Sequence, residues 1–567
     1  MGDTTARLKR WFPVFVIAAA FVWACAVIVL HRTAEAPEGT IVIRVGHWQL
    51  ETSVREAFDT LARDYQKLHP NVRIVQDAIP ETTYGQWVTT NLMGGTAPDL
   101  MEIGIGVTEP LWISYQRRYF HPLTQYTARP NPYNRGTPLE NTPLRQTFAD
   151  GMRSAYIEAL QEYMKINLSQ FGVRIFYNKG LLKKLTGLDE APRDYHGFLA
   201  ACEEIKKHTN AEGKHFVPIA CSGYHFWMWE MMMADQVTYP ALARADFNRD
   251  GYVGNDENWV AFKSGRLSFD FPAYRARFRM IRQISDEFQV GYTGLTRDDA
   301  VLLFAQQKAV FMPTGTWDSR SLQEQAKGSF EVGLMEFPRP TDQDPEYGEF
   351  IKGPLYEVPW VGFPFGIVRT SKHPDVALDF LLFLASQPNN EKFNRIIGWI
   401  PSVVGCTMDP LLEAFKPKLE GVYGAMNFGL GGETWVRWSQ DYSLFQVNQI
   451  DYDELAKRFG PFYIEKGLKD FMEVNRDWRR TIRTDEEFLA GIRAKALLAT
   501  GDEAASLWIK YRSLTAMRQV LPEVTHARLM ALVTKGPDPK AVGPYEHSPE
   551  VLDRVRARLK GGRVPKR

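Results

Sequence analysis

Three features of the chain predict an α/β fold divided between at least two lobes. From Thr40 to Gly104, β-branched runs alternate with amphipathic stretches. At 567 residues the chain is too long for one hydrophobic core. Beyond residue 500 the pattern turns helical, without strands. The elements follow in order. Thr40-Ile41-Val42-Ile43-Arg44-Val45 reads as a strand that ends at Gly46-His47-Trp48. Ser53 and Glu56 have the spacing of a capping box ahead of apolar residues at Val54, Ala57, Phe58, Leu61, Tyr65 and Leu68, so a helix is expected, closed by Pro70. Val72-Arg73-Ile74-Val75 alternates as a half-buried strand. A second helix ends at Gly94-Gly95, and Pro98-Asp99 introduces a third strand from Leu100 to Ile103. Such alternation predicts a mostly parallel sheet with helices packed against it.

The composition, 44% hydrophobic and 24% charged, is that of a folded globular protein, and 15 Trp give it an aromatic excess. A net charge of +1 supplies no global field to gather nucleic acid. Trp11 to Leu30 is an uncharged apolar stretch, long enough at about 1.5 Å per residue to cross a hydrocarbon core of about 30 Å. Arg7, Lys9 and Arg10 precede it, which places residues 1–10 in the cytoplasm and the bulk of the chain outside the membrane, in the periplasm. A cleavable signal peptide is the rival reading, with Ala34-Glu35-Ala36 as its small-residue site, but Pro37 follows directly and the apolar run is long for an h-region. An uncleaved anchor is the preferred expectation. No other segment reads as a span and no GxxxxGK[S/T] loop occurs, so the chain is neither a permease nor its ATPase. Outside the anchor stand Cys202, Cys221 and Cys406, an odd number without metal spacing. Cys202 reads as core, and a Cys202–Cys221 disulfide stays open.

Several segments, taken in order, resemble family 1 solute-binding proteins of ABC sugar importers, the group that includes maltose-binding protein. Gly94-Gly95-Thr96-Ala97-Pro98-Asp99 is similar to the family's Gly-x-x-Pro-Asp turn. Val173 to Lys179 resembles its Tyr-Asn-Lys strand end, where the chain enters the second lobe. Lys308 to Met312, through Gly315-Thr316-Trp317, resembles a later small-residue strand and return. Ser371 to Leu384 and Gly398-Trp399-Ile400-Pro401-Ser402 resemble the last helix and its terminator. Pro192 to Gly197 departs from the family pattern by lacking its acidic residue, and residues past about 500 have no counterpart. The resemblance implies an α/β two-lobe periplasmic-binding-protein type II fold, with an N-terminal transmembrane helix and a helical C-terminal extension added to it. The expected division puts 40–150 and 295–345 in lobe 1, 151–294 and 346–500 in lobe 2, and 501–567 in a helical extension that ends in a basic tail.

The same resemblance implies a mono- or oligosaccharide held between the lobes by hinge closure and passed to an ABC permease. Aromatic rings suit the C–H faces of a pyranose, and planar polar groups suit its hydroxyls. The candidate ligand residues are Trp48, Gln49 and Glu51 after the first strand, Tyr224 and Trp227 in the second lobe, Trp317 in the return, and Trp435 closing the floor. For each of these aromatics except Trp317, ordinary core packing is an equal alternative. Trp229, Trp259, Trp360, Trp399 and Trp438 read as core or rim.

A second motif is read from spacing alone. Asp246, Asn248, Asp250, Tyr252 (by its carbonyl), Gly254 (through water) and Glu257 fall at EF-hand positions 1, 3, 5, 7, 9 and 12, with Gly251 at the turn. The expectation is a structural Ca2+ within 246–257 that stiffens lobe 2; an Asx-turn surface loop is the alternative. No acid/base motif or nucleophile elbow marks an enzyme. A sugar sensor or scaffold on the same fold, or a receptor for another solute, remains open.

Overall fold

The computed structural model describes residues 39–249 and 251–535. The expected anchor at Trp11–Leu30, the loop residue Asp250 and the basic run from Arg554 lie outside the described residues. Among the described residues, no helix is long and apolar enough to cross a membrane.

Lobe 1 begins as the alternation predicts: β1 (Ile41–His47), α1 (Thr52–Leu68), β2 (Val72–Ala78), α2 (Glu81–Gly94), β3 (Leu100–Glu102) and α3 (Glu109–Tyr119). β1 pairs in parallel with both β2 and β3. α1 starts two residues earlier than the capping box predicts. Glu51 is its N-cap without a side-chain bond, which leaves Ser53 inside the first turn. After β4 (Ile166–Phe171) the chain crosses at Gly172 to β5 (Val173–Asn178) in a second sheet. A Cβ at Gly172 would lie 2.2 Å from the carbonyl oxygen of Phe415, so this crossing admits only glycine.

Lobe 2 holds β5, β6 (Val217–Ile219), α4 (Asn255–Lys263), α5 (Arg297–Ala305), β7 (Ala309–Gly315), α6 (Thr316–Ala326) and β8 (Val332–Met335). The chain then returns to the first sheet with β9 (Trp360–Ile367), α7 (Pro374–Leu384), α8 (Gln387–Ile397) and β10 (Ile400–Pro401). The sheets run β10-β4-β9-β3-β1-β2 and β8-β5-β7-β6. β9 is antiparallel to β3 and β4, so the first sheet is mixed rather than mostly parallel. The reason is the path: β9 re-enters from the lobe junction, and Trp360 pairs with Phe171, where β4 had left.

The predicted lobe boundaries need correction. Residues 309–335 were expected in lobe 1, but β7 and β8 flank β5 in the second sheet. Residues 151–171 and 360–401, expected in lobe 2, build the first sheet. β7 is buried along its whole length, so its side-chain pattern suits either sheet and carries no information on which one it joins. The lobe cores are separate, one around Phe58, Phe365 and Phe380, the other around Phe198, Trp229 and Phe311.

α9 (Gly432–Gln446) closes lobe 2, followed by α10 (Tyr452–Leu498) and α11 (Gly501–Lys535), an antiparallel helical hairpin. α11 continues through Pro522 without a break. The three cysteines outside the anchor are free, and Cys202 and Cys221 are buried in lobe 2.

Three connections join the lobes: Gly172, the stretch from β8 to β9, and the stretch after β10. A buried ion network ties them together. Arg174 donates from Nε to Ala414 O (2.6 Å), from Nη1 to Val173 O (2.7 Å), and from Nη2 to Lys416 O (2.9 Å) and Glu357 Oε2 (2.9 Å). Arg339 Nη2 donates to the other Glu357 oxygen at 2.7 Å, and Lys418 N donates to Glu357 at 3.2 Å. Burial alone would raise the Glu357 carboxyl, but Arg174 and Arg339 outweigh it and hold it below its ordinary value. Arg174 is therefore buried at the lobe junction, and its hydrogen bonds go to the connections that meet there.

Candidate functional site in the interlobe cleft

The C-terminal ends of β1 and β2 in lobe 1 face the loop after β6 and the start of α5 in lobe 2. On the lobe 2 side, Trp317 follows directly on β7. Its ring lies across Gly315, where a Cβ would meet it at 2.3 Å, so glycine is what lets the indole turn back over the strand end. Tyr224 stands edge-on to it at 6.4 Å. From Trp317 the aromatic array continues across the junction: Phe171 at 5.6 Å, Trp360 stacked on Phe171 at 5.7 Å and 12°, and Trp227 edge-on to Trp360 at 5.6 Å. Three of the seven candidate ligand residues are thus brought into one array, together with Trp360, which sequence reasoning placed in core or rim.

Polar groups surround the lobe 2 end of this array. Asp318 accepts from Arg297 Nη2 and from Thr314 Oγ1, each at 2.5 Å. Arg297 also lies within electrostatic reach of Glu51, and Tyr224 of Glu81, both across the cleft in lobe 1. His225 is buried; Ser222 Oγ meets its Nδ1 at 2.8 Å, and burial pushes its pKa down to about 4, so the ring is neutral. Three buried polar atoms here, His225 Nε2, Thr316 Oγ1 and Trp317 Nε1, have no hydrogen-bond partner among the described residues. Unpaired buried polar atoms cost about 1–3 kcal/mol each, and a ligand hydroxyl that paired with them would relieve that cost.

On the lobe 1 side Trp48 packs edge-on to Tyr84 at 5.2 Å. Gln49 Nε2 donates to Glu102 Oε1 at 3.2 Å. Glu102, at the end of β3, is fully buried, and burial raises its pKa well above the ordinary carboxyl value; Oε2 has no hydrogen-bond partner among the described residues. Glu51 is exposed at the start of α1.

Trp435 does not join the array. Thr434, Trp438, Asp441 and Phe445 form the buried face of α9, so Trp435, one position past Thr434, points outward and is 52% exposed. It lines a separate pocket of about 370 Å³ with Trp438, Tyr442 and Arg277. The expectation that it closes the cleft floor is corrected accordingly.

The loop at 246–257 folds on itself. Asp246 is fully buried and accepts from the backbone N–H groups of Arg249 (2.6 Å) and Gly251 (2.9 Å). Glu257 accepts from Phe247, Asn248 and Gly254 N–H at 2.9, 3.0 and 3.0 Å. Burial foremost, with Asp256 and Asp246 adding to it, lifts the Glu257 pKa to about 7. The Tyr252 hydroxyl accepts from Asn427 Nδ2 at 3.0 Å. Among the described residues no group of three His, Cys, Asp or Glu is arranged to hold a metal; Asp250 lies outside them.

Comparison with known proteins matches residues 50–391 to the family described as bacterial extracellular solute-binding protein. The chain belongs to this family. Among relatives of this solute-binding protein, an uncharacterised ABC transporter extracellular-binding protein of Pyrococcus horikoshii is 22% identical over 383 residues, 65% of this chain and 73% of that one. The multiple sugar-binding protein of Streptococcus mutans is 22% identical over 292 residues, 49% of this chain and 58% of that one. Among solved structures, a chitin oligosaccharide binding protein superposes with a TM-score of 0.52 at 15% identity, covering 76% of this chain and 99% of its own. At that identity the likeness carries the two-lobe fold. The family match ends before α9, and the helical hairpin lies wholly beyond it.

Sequence reasoning missed Arg297, Asp318, His225 and Glu102. Asp318 adjoins Trp317, and His225 adjoins Tyr224, so the flanks of each chosen aromatic carried a local signal. Glu102 had none, since it sits in a short strand that reads as apolar.

Proposed function

We propose that this solute-binding protein is an extracytoplasmic carbohydrate receptor that closes its two lobes on a mono- or oligosaccharide. The observation that carries this reading is the aromatic array Tyr224–Trp317–Phe171–Trp360–Trp227 beside the Arg297–Asp318 pair, with Glu51 of lobe 1 within electrostatic reach of Arg297. Rings offer faces to pyranose C–H groups, and a guanidinium–carboxylate pair offers planar donors and acceptors to vicinal hydroxyls. The names of the Streptococcus mutans relative and the chitin oligosaccharide binder point to the same ligand class. In this reading Trp11–Leu30 tethers the receptor to the cell membrane and an ABC permease accepts the sugar. The family is in general non-enzymatic, consistent with binding and delivery.

The test is a thermal-shift panel of mono- and oligosaccharides. A ligand that binds only the folded state adds about 2.7 kcal/mol of stability at a hundredfold excess over Kd. A shift confined to one sugar class supports the reading. A shift with amino acids or peptides alone overturns it.

The loop at 246–257 belongs to the proposal as a structural Ca2+ site. Asp246, Asn248, Asp250 and Glu257 would supply carboxylate and amide oxygens and Tyr252 its carbonyl, with the ion neutralising the buried Asp246 and Glu257. What supports it is the ligand spacing together with two adjacent carboxylates that are both buried.

A further inference from the structure

The α10–α11 hairpin touches both lobes, and each attachment has a different character. On lobe 2 it is built into the core. Trp259 Nε1 donates to Tyr463 O at 2.9 Å, and Trp259 stacks on Phe471 at 4.8 Å. Asp470 accepts from Thr434 N and Oγ1 at 2.8 and 2.7 Å, and Leu529, near the end of α11, is 1% exposed in the same core. From Tyr463 to Phe488, α10 runs on for about 37 Å at 1.5 Å per residue. There the paired helices enclose a small core of their own, Leu489, Ile492 and Leu514.

At that distance the hairpin meets lobe 1. Phe488 packs against its cluster around Tyr84 and Trp112, with the Arg117 guanidinium 5.7 Å above the Phe488 ring. Lys510 forms an ion pair with Glu162, whose side chains are 17% and 22% exposed, and Gln161 Nε2 donates to Ser513 Oγ. Gln161 and Glu162 stand at the tip of a short β-hairpin, where Gln161 takes a left-handed backbone conformation with φ 50°. That tip lies before β4, and β4 runs from it toward the lobe junction. Six residues of strand at about 3.3 Å put it about 20 Å from the hinge. A rotation of about 15° at that radius sweeps about 5 Å, more than a hydrogen bond tolerates.

We propose that the C-terminal hairpin is an interlobe latch, fixed in lobe 2 and clasping lobe 1 at Glu162, Gln161 and Arg117, so that a change in the angle between the lobes must release the clasp. The hairpin thereby sets the resting opening of the cleft. This goes beyond the receptor reading and does not depend on which solute is bound, so its test uses no ligand.

The test measures the interlobe distance by pulsed electron paramagnetic resonance on the full chain. Spin labels are placed at Met93→Cys in lobe 1 and Val290→Cys in lobe 2, both exposed, with Cys25 and Cys406 replaced by serine. Lys510→Glu combined with Ser513→Ala should shift or broaden the distance distribution, and adding Glu162→Lys to Lys510→Glu should return it toward that of the parent. An unchanged distribution in Lys510→Glu/Ser513→Ala with full helical circular dichroism overturns the latch. If that variant loses helix, the charge-swapped pair decides: failure of Glu162→Lys to restore what Lys510→Glu alone disturbs also overturns it.

Discussion

Replacing Arg174 by methionine tests whether the three lobe connections depend on one buried cation. Arg174 is 1% exposed and makes four hydrogen bonds, to Val173 O, Ala414 O, Lys416 O and Glu357. Methionine fills much of the volume but leaves three carbonyls short of a donor. Glu357 keeps Arg339 and the Lys418 N–H, so its charge is not stranded. Three such carbonyls, each at the low end of the 1–3 kcal/mol cost of an unpaired buried group, together with the broken charge pair give about 3–5 kcal/mol in total. Arg339→Met removes one bond to Glu357 and one to Met232 O, so its cost should be smaller, about 2 kcal/mol. Urea unfolding monitored by Trp fluorescence measures both. A loss below about 1 kcal/mol for Arg174→Met, or a larger loss for Arg339→Met, refutes Arg174 as the central residue of the lobe junction.

Trp317→Ala should weaken binding of whichever sugar responds in the panel by about 1.5–3 kcal/mol, roughly 10- to 150-fold by calorimetry, since one stacking face is lost; an effect under threefold argues against this array as the binding surface. His225 sets a pH dependence. Its folded pKa lies below the unfolded value of 6.5, so its contribution is fully present above that value and is lost as pH falls toward about 4. Unfolding free energy should drop by about 2 kcal/mol between pH 8 and pH 5 through His225 alone, and His225→Gln should remove that part of the slope. Calcium should raise the melting temperature of the chelator-treated protein by several degrees, and Asp246→Ala should abolish the rise; no shift in the parent protein sinks the metal site.

What the sequence showed followed from how local each signal is. β1 to β3 and the helices between them are recorded in adjacent residues, and they stand where the alternation put them. The Tyr177-Asn178-Lys179 strand end also works locally: Asn178 Oδ1 accepts from Leu181 N at 2.9 Å and caps the following helix. Sheet membership is different. Whether β7 pairs with β5 or with β1 is decided by contacts between residues over a hundred positions apart, and a fully buried strand has no polar face to give its orientation away. The same limit explains Trp435, whose outward position depends on which face of α9 the lobe buries. From its strand position Arg174 could as well partner a ligand hydroxyl or point to solvent; the folded chain instead brings Glu357 and the carbonyls of Ala414 and Lys416 to it.

Hinge network and hairpin clasp restrain the same motion with unequal strength, and the inequality has a consequence. The Arg174–Glu357–Arg339 cluster is almost wholly buried, and taking it apart leaves buried groups unpaired, so a rotation of the lobes should leave it intact and use it as the pivot. The Lys510–Glu162 pair and its neighbours are partly solvated, where such contacts contribute about 0.5–1.5 kcal/mol each. Water can replace them at modest cost once the lobes move. A solute bound at micromolar Kd supplies about 8 kcal/mol, ample to offset two or three such contacts but comparable to the cost of dismantling the pivot once closure and ordering are included. Closure on a ligand should therefore proceed by rotation about an intact pivot with release of the clasp. A family member that lacked the hairpin would close with less opposition and bind the same sugar more tightly.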